Sequence, residues 1–298
     1  MEAADALASA PKRSVGRRLA DLFHRRRLLQ VSGLLSGPLA WLVVGYIGSL
    51  IVLLVASFWS VSALTGEISQ TFTFDNFNTI FTEPVYRTIA WRTVRVAALV
   101  TITDAVLAFP IAFYMAKVAS RRARATLVVG ILMPLWSFYL VKVYAWRTML
   151  SADGVINWAL GPLGLHGPGY GTTAVWLVMS YLWLPYMILP IFAGLERIPD
   201  SLLSASEDLG ASPFTTFRRV ILPLAFPAVV AGSIFTFSLT LGDYITPQLV
   251  SNSQFIGNVV STNITNNLPL ASAFAVVPIM IMIIYLLVAR AFGAFEHL

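Results

Sequence analysis

Between Arg27 and Glu67 the chain has no Asp, Glu, Lys or Arg, and from Leu39 to Phe58 it is nearly all apolar. A run of that length can cross about 30 Å of hydrocarbon as a helix and is too long for the apolar part of a signal peptide. Further apolar segments follow at 92–116, 126–148, 173–195, 221–244 and 270–290. Each is close to the ~20 residues that a transmembrane helix needs. The pattern therefore predicts an all-α integral membrane chain with six transmembrane helices. Pro110, Pro134, Pro185 and Pro190 fall inside these segments. Each removes one N–H from the helical ladder, a loss tolerated in a bilayer where neighbouring helices supply partners.

Composition agrees. Of 298 residues, 57% are hydrophobic and only 11% are charged, against about 25% charged in soluble domains. That leaves too little polar surface to solvate a globule of this size. There is no cysteine, which excludes a disulfide framework and a thiolate metal site. The net charge of +6 could suggest nucleic acid, but its placement points elsewhere. Fifteen of the twenty Lys and Arg fall on one side of a six-span chain: seven in the tail up to Arg27, then Lys117, Arg121, Arg122, Arg124, Arg197, Arg218, Arg219 and Arg290. The positive-inside rule then places both termini in the cytoplasm. Residues 1–35 read as a basic tail touching anionic lipid, with no nucleic-acid partner, and 36–60 as the first span. On the opposite side, the loop over 245–269 is rich in Asn and nearly uncharged.

The cytoplasmic loop over 196–223 has its own punctuation. Asp200 or Ser201 is placed to cap a short helix that Gly210 ends in a left-handed conformation. Ser212 is placed to cap a second, with Pro213 at its first position. Leu202, Leu203, Ala205, Ser206 and Leu209 give the first helix a small, partly apolar surface. On spacing alone it fits a partner's groove and the chain's own bundle equally well.

This stretch resembles the cytoplasmic loop motif E-A-A-x-x-x-G-x(9)-I-x-L-P of binding-protein-dependent ABC importer permeases. Ser204-Ala205-Ser206 takes the E-A-A place, Gly210 the glycine, Val220 the isoleucine and Leu222-Pro223 the closing pair. Ser204 replaces the acidic residue and Ser206 the second alanine, which puts in doubt any salt bridge the family makes there. The resemblance covers about 88–294. The segments Trp136–Trp146, Gly154–Asn157, Leu241–Gln248 and Ile256–Asn258 resemble the spermidine/putrescine branch.

The resemblance implies a type I ABC importer permease fold in a bacterial cytoplasmic (inner) membrane. It implies two ATP-binding cassette ATPase subunits, a second permease subunit (a different chain in the polyamine branch) and an extracytoplasmic solute-binding protein as partners. Residues 201–209 would be the coupling helix that docks on the ATPase. ATP and Mg²⁺ would be bound by that partner, and this chain would be a non-catalytic transport subunit with no cofactor. The residues fit: there is no G-x-x-x-x-G-K-[ST] phosphate loop. His24, His166 and His297 lack metal or triad spacing.

Asp104, deep in the second span, and Asp243, at the outer end of the fifth, bear on the solute. A mid-bilayer carboxylate costs about 2.5–3.5 kcal/mol on insertion scales and so faces a bundle interior or water. One reading is a cation path in which Tyr181, Trp183 or Tyr244 adds cation–π support. The other, which we adopt for Asp104, is internal pairing with Arg95, Lys142 or Arg147; for Asp243 it is a helix or loop cap. Trp41, Trp59, Trp91 and Trp146 read as interfacial anchors. The resulting expectation is a permease subunit for polyamines. Another small organic solute and a gradient-driven secondary carrier are the alternatives. Secondary carriers often show internal repeats and more mid-membrane charges, which this chain lacks.

Overall fold

The computed structural model describes residues 27–62 and 65–291, and the chain divides into two compact units, one ending at Val55 and the other beginning at Ala56. Most of the expected basic tail, together with His24 and His297, lies outside the described residues. The first unit contains α1 (Leu35–Ala56, whose last residue opens the second unit), so the expected first span ends four residues early.

The second unit opens with a two-stranded antiparallel ribbon, β1 (Ser60–Val61) and β2 (Ile68–Ser69). Next come α2 (Asp75–Thr82) and the long α3 (Pro84–Val118), which has Pro84 at its first position, where no N–H is needed. α4 (Arg121–Trp136) begins under a Ser120 cap that accepts from the Ala123 N–H. α5 (Tyr139–Leu150), α6 (Val155–Leu160), α7 (Thr172–Glu196) and α8 (Asp200–Asp208) follow. α9 (Pro213–Gly242) starts under the expected Ser212 cap, α10 (Ile245–Val250) and α11 (Ile256–Asn263) are short, and α12 (Leu268–Ala291) closes the described chain. Within α9, Phe217–Ile221 forms a π-helical turn. It immediately precedes Leu222-Pro223, where proline removes a ladder donor.

Five helices (α1, α3, α7, α9, α12) are long and apolar enough to cross a membrane. The sixth expected span, 126–148, is not one helix. It is the pair α4 and the α5 segment, broken at Ser137-Phe138 and bent by 91°. At the break the Pro134 carbonyl accepts from the Ser137 N–H (3.3 Å), the Ser137 hydroxyl (2.9 Å) and the Lys142 ammonium (3.0 Å). Side chains thus replace the ladder bonds that the bend removes.

The centre of the second unit is α3, α7 and α9, packed on one another. Val96 and Val100 of α3 meet Val143 of α5, and Val178 and Met179 of α7, in one cluster. Ala108, Met115, Met187, Ile191 and Ile221 make another toward the basic end. The contact between α7 and α9 is close enough that a Cβ at Gly194 would clash with that of Ala228. Outward-facing Ile102, Val106, Ile284 and Leu287 are exposed, as residues that face lipid are.

Candidate functional site

The segment between α7 and α9 keeps most of its expected geometry. Gly210 has φ +77. Its N–H donates to the Glu207 carbonyl (2.8 Å), and the Ala211 N–H donates to that of Ser206 (3.1 Å). These are the two bonds of a Schellman motif, and the positive φ is why glycine stands there. The start of α8 corrects the expectation: neither Asp200 nor Ser201 caps it, since the cap position is Pro199, with no side-chain bond. Asp200 is occupied by Lys117, whose ammonium lies 2.8 Å from its carboxylate and 2.6 Å from the Ile198 carbonyl. This contact, through the hydrogen bond first and the charge second, holds the Asp200 carboxyl below the ordinary range. Beside it Arg124 donates to the carbonyls of Met115 and Ala116, which end α3, and pairs with Glu196 at 2.8 Å. The ends of α3 and α7 and the starts of α4 and α8 are thereby tied together.

Side chains of α8 are partly tied to the bundle and partly exposed. Leu203 packs on the core cluster at that end, and the Ser206 hydroxyl lies 2.8 Å from that of Thr216, joining α8 to α9. Ser204 bonds only to the Asp200 carbonyl and is exposed, as are Ala205 and Leu202. Leu209 is 89% exposed and Phe214 71%. Val220 is half-buried, and Leu222 and Pro223 are exposed.

The expected solute residues are only partly brought together. Trp183, Asp243 and Tyr244 line one open cavity of about 410 Å³ with Tyr139, Ser238, Leu239, Gly242 and Ile245. Tyr181 lies outside it, against Trp146 at 5.5 Å between ring centroids. Tyr139 is a member that sequence reasoning missed. Its hydroxyl donates to Asp243 Oδ2 (2.6 Å) and its ring stacks on Trp183 at 6.1 Å. The Thr246 hydroxyl also donates to Oδ2 (2.6 Å), while Oδ1 accepts from the N–H groups of Ile245 and Thr246 (2.9 and 3.1 Å). Asp243 therefore does cap the start of α10, and it lines the cavity as well. All its printed hydrogen bonds come from neutral donors, and among the described residues it forms no ion pair.

Asp104 corrects the other expectation. It is fully buried, and neither carboxyl oxygen has a hydrogen-bond partner. Of the expected cations, Lys142 is taken by Pro134, Arg95 lies over Trp91 at 5.2 Å, and none forms an ion pair with it among the described residues. No cluster of three His, Cys, Asp or Glu that could hold a metal occurs among the described residues.

Residues 88–296 match the family described as the inner membrane component of binding-protein-dependent transport systems. The chain belongs to this family of ABC importer permeases, multi-pass proteins of the inner membrane. It is 44% identical over 283 residues to the inner membrane ABC transporter permease protein YdcU of Escherichia coli, covering 89% of this chain and 90% of that one. To the spermidine/putrescine transport system permease protein PotB of Haemophilus influenzae it is 30% identical, covering 73% and 79%. In fold it is similar to a chain of a bacterial ABC transporter that imports alginate, with TM-score 0.70, 17% identity and coverage of 92% and 98%. A second structure, of an alginate transporter with its pentasaccharide-bound periplasmic protein, gives TM-score 0.71, 17% identity and coverage of 93% and 97%.

Proposed function

We propose that this permease forms one half of the pore of a polyamine importer, receives cargo from an extracytoplasmic binding protein, and is driven by two ATPase subunits that grip α8. In this reading both termini are cytoplasmic, the basic end faces the ATPases, and the other half of the pore is a different chain. The observation that carries it is that Leu203 and Ser206 tie α8 to the bundle while Leu202 and Leu209 stay exposed. A tethered helix that keeps apolar side chains exposed suits a groove on a partner. The polyamine part is supported by Asp243, held by neutral donors alone, among Tyr139, Trp183 and Tyr244, since a carboxylate plus aromatic faces is the chemistry that holds ammonium groups. It is also supported by the names of the PotB relatives.

The test is reconstitution of the assembled transporter in liposomes with its ATPase and binding protein. Putrescine and spermidine uptake should depend on ATP, and maltose uptake should be absent. Gly210→Val should leave insertion and assembly intact while separating ATP hydrolysis from uptake. A Cβ there meets no atom within 4 Å, so the strain is confined to a backbone that a β-branched residue avoids. Normal coupling in that variant would overturn the role of α8. Uptake of sugars but not amines would overturn the substrate.

A further inference from the structure

Five of the twenty basic residues lie away from the basic end, and three of these, Arg87, Arg92 and Arg95, fall close together near the start of α3. They are used differently. Arg92 turns to the protein, its guanidinium donating to the Gln254 carbonyl at 3.1 Å. Arg87 and Arg95 are exposed and form no ion pair among the described residues, although Glu83 stands one turn before Arg87. Arg87, Trp91, Arg95, Leu99, Ile102 and Val106 follow one another at helical spacing, and all are exposed. The other sides of α3 are packed, Val96 and Val100 against α5 and α7, and Ala97 against α9 and α12. This stripe is therefore the outward surface of α3.

Its depth in the bilayer follows from the charges along the helix. Arg95 and Lys117 lie about 33 Å apart on a helix axis, and the one charged residue between them is the buried Asp104. Hydrocarbon is about 30 Å thick, so Lys117 marks one edge and Arg95 the other. Helical side chains lean toward the N-terminus of their helix, which for α3 is the nearer membrane surface. Arg95 does so: its guanidinium lies over the Trp91 ring, 5.2 Å from the centroid, one turn closer to Arg87. A charge at the hydrocarbon edge is thereby lifted into the headgroup layer and held on an aromatic face. Tryptophan belongs at the same level.

We propose that Arg87, Trp91 and Arg95 form a headgroup site for an anionic phospholipid in the leaflet opposite the basic end. The phosphate sits between the two guanidiniums, whose forked donors match its oxygens. The acyl chains run down Leu99, Ile102 and Val106. Two guanidiniums repel a headgroup that carries its own ammonium, so phosphatidylglycerol is preferred to phosphatidylcholine. The site is independent of the cargo. It accounts for positive charge kept on a lipid-facing surface at the end that most Lys and Arg avoid.

The experiment uses the assembled transporter in nanodiscs made from equal amounts of phosphatidylglycerol and phosphatidylcholine with matched chains. Photoreactive benzoylphenylalanine replaces Leu99 or, as the reference, Met280, which is exposed on α12. Crosslinked lipids are identified by mass spectrometry. The ratio of phosphatidylglycerol to phosphatidylcholine at Leu99 should exceed that at Met280 by at least about fivefold, equivalent to ~1 kcal/mol for one arginine at the surface. Arg87→Gln and Arg95→Gln should each lower the ratio, and together they should return it to the Met280 value. Equal ratios at the two positions without either substitution would overturn the inference, as would an enrichment that survives both. Crosslinks from Leu99 to another polypeptide in place of lipid would reveal a subunit interface and overturn it too. Should Arg95→Gln not assemble, Arg87→Gln at the solvated end decides: an unchanged ratio there counts against the site.

Discussion

The two ends of the bundle are held by different chemistry. At the basic end charges are paired: Lys117 with Asp200 and Arg124 with Glu196, each cation also donating to main-chain carbonyls that end helices or open a loop. At the other end Asp243 is bound by hydroxyl and amide donors alone. Ion pairs that reach backbone acceptors lock elements to one another, as the docking proposed for α8 would require. Neutral donors fix an acid in place but leave its charge unanswered. The first arrangement suits transmission, and the second suits a visiting cation.

Substitutions that remove one end's chemistry sharpen this contrast. The largest effect is expected from Arg124→Ala, which leaves the Met115 and Ala116 carbonyls without their donor, at about 1–3 kcal/mol for each that stays dry. Thermal unfolding of the purified complex should shift clearly downward; an unchanged midpoint would mean that Arg124 is ornamental. Lys117→Ala comes next, because its side chain is only 9% exposed and its loss leaves one carbonyl, that of Ile198, at about 1–3 kcal/mol. Hydrogen exchange should rise in α8 and not in α10. Tyr139→Phe is smaller, about 1 kcal/mol, since Asp243 keeps three other donors. It should loosen α10, read as faster exchange there, and leave α8 untouched. Equal changes at both ends would break the comparison.

The smallest effect is expected from Asp200→Asn, at the exposed partner of Lys117. Because the folded carboxyl is held below its ordinary value of 3.8, its contribution is complete above that value and lost as pH falls through the lower folded value. Opening of α8, read as its exchange rate relative to the intrinsic rate at each pH, should therefore be flat from neutral pH down to about 4 and rise below it, and Asp200→Asn should abolish the rise. A rise centred near pH 6 would point to another group.

Much of this was legible in the chain. Length and hydropathy locate α3, α7, α9 and α12, and Gly210, Ser212 and Pro213 place the turns around α8, because those signals are local. The 91° break at Ser137-Phe138 is hidden, since both limbs are apolar and the marker, Pro134, looks like the tolerated prolines at 110, 185 and 190. What separates it is Lys142 reaching the freed carbonyl, a side-chain contact that composition does not register. The role of Asp200 was misjudged for a similar reason: Lys117, 83 residues away, takes the carboxylate that local spacing assigns to a cap. Tyr139 was missed because its partner is 104 residues distant.

The main-chain bonds that close the turn at Gly210 separate shape from identity. No side chain of the first motif triplet takes part in them, so Ser204 and Ser206 stand where the family has other residues while the bend is kept. The outer surface of α8 is free to drift without deforming the hinge beneath it. On the docking proposed for α8, two transporters in one cell could keep this same bend and still present different side chains to their ATPases.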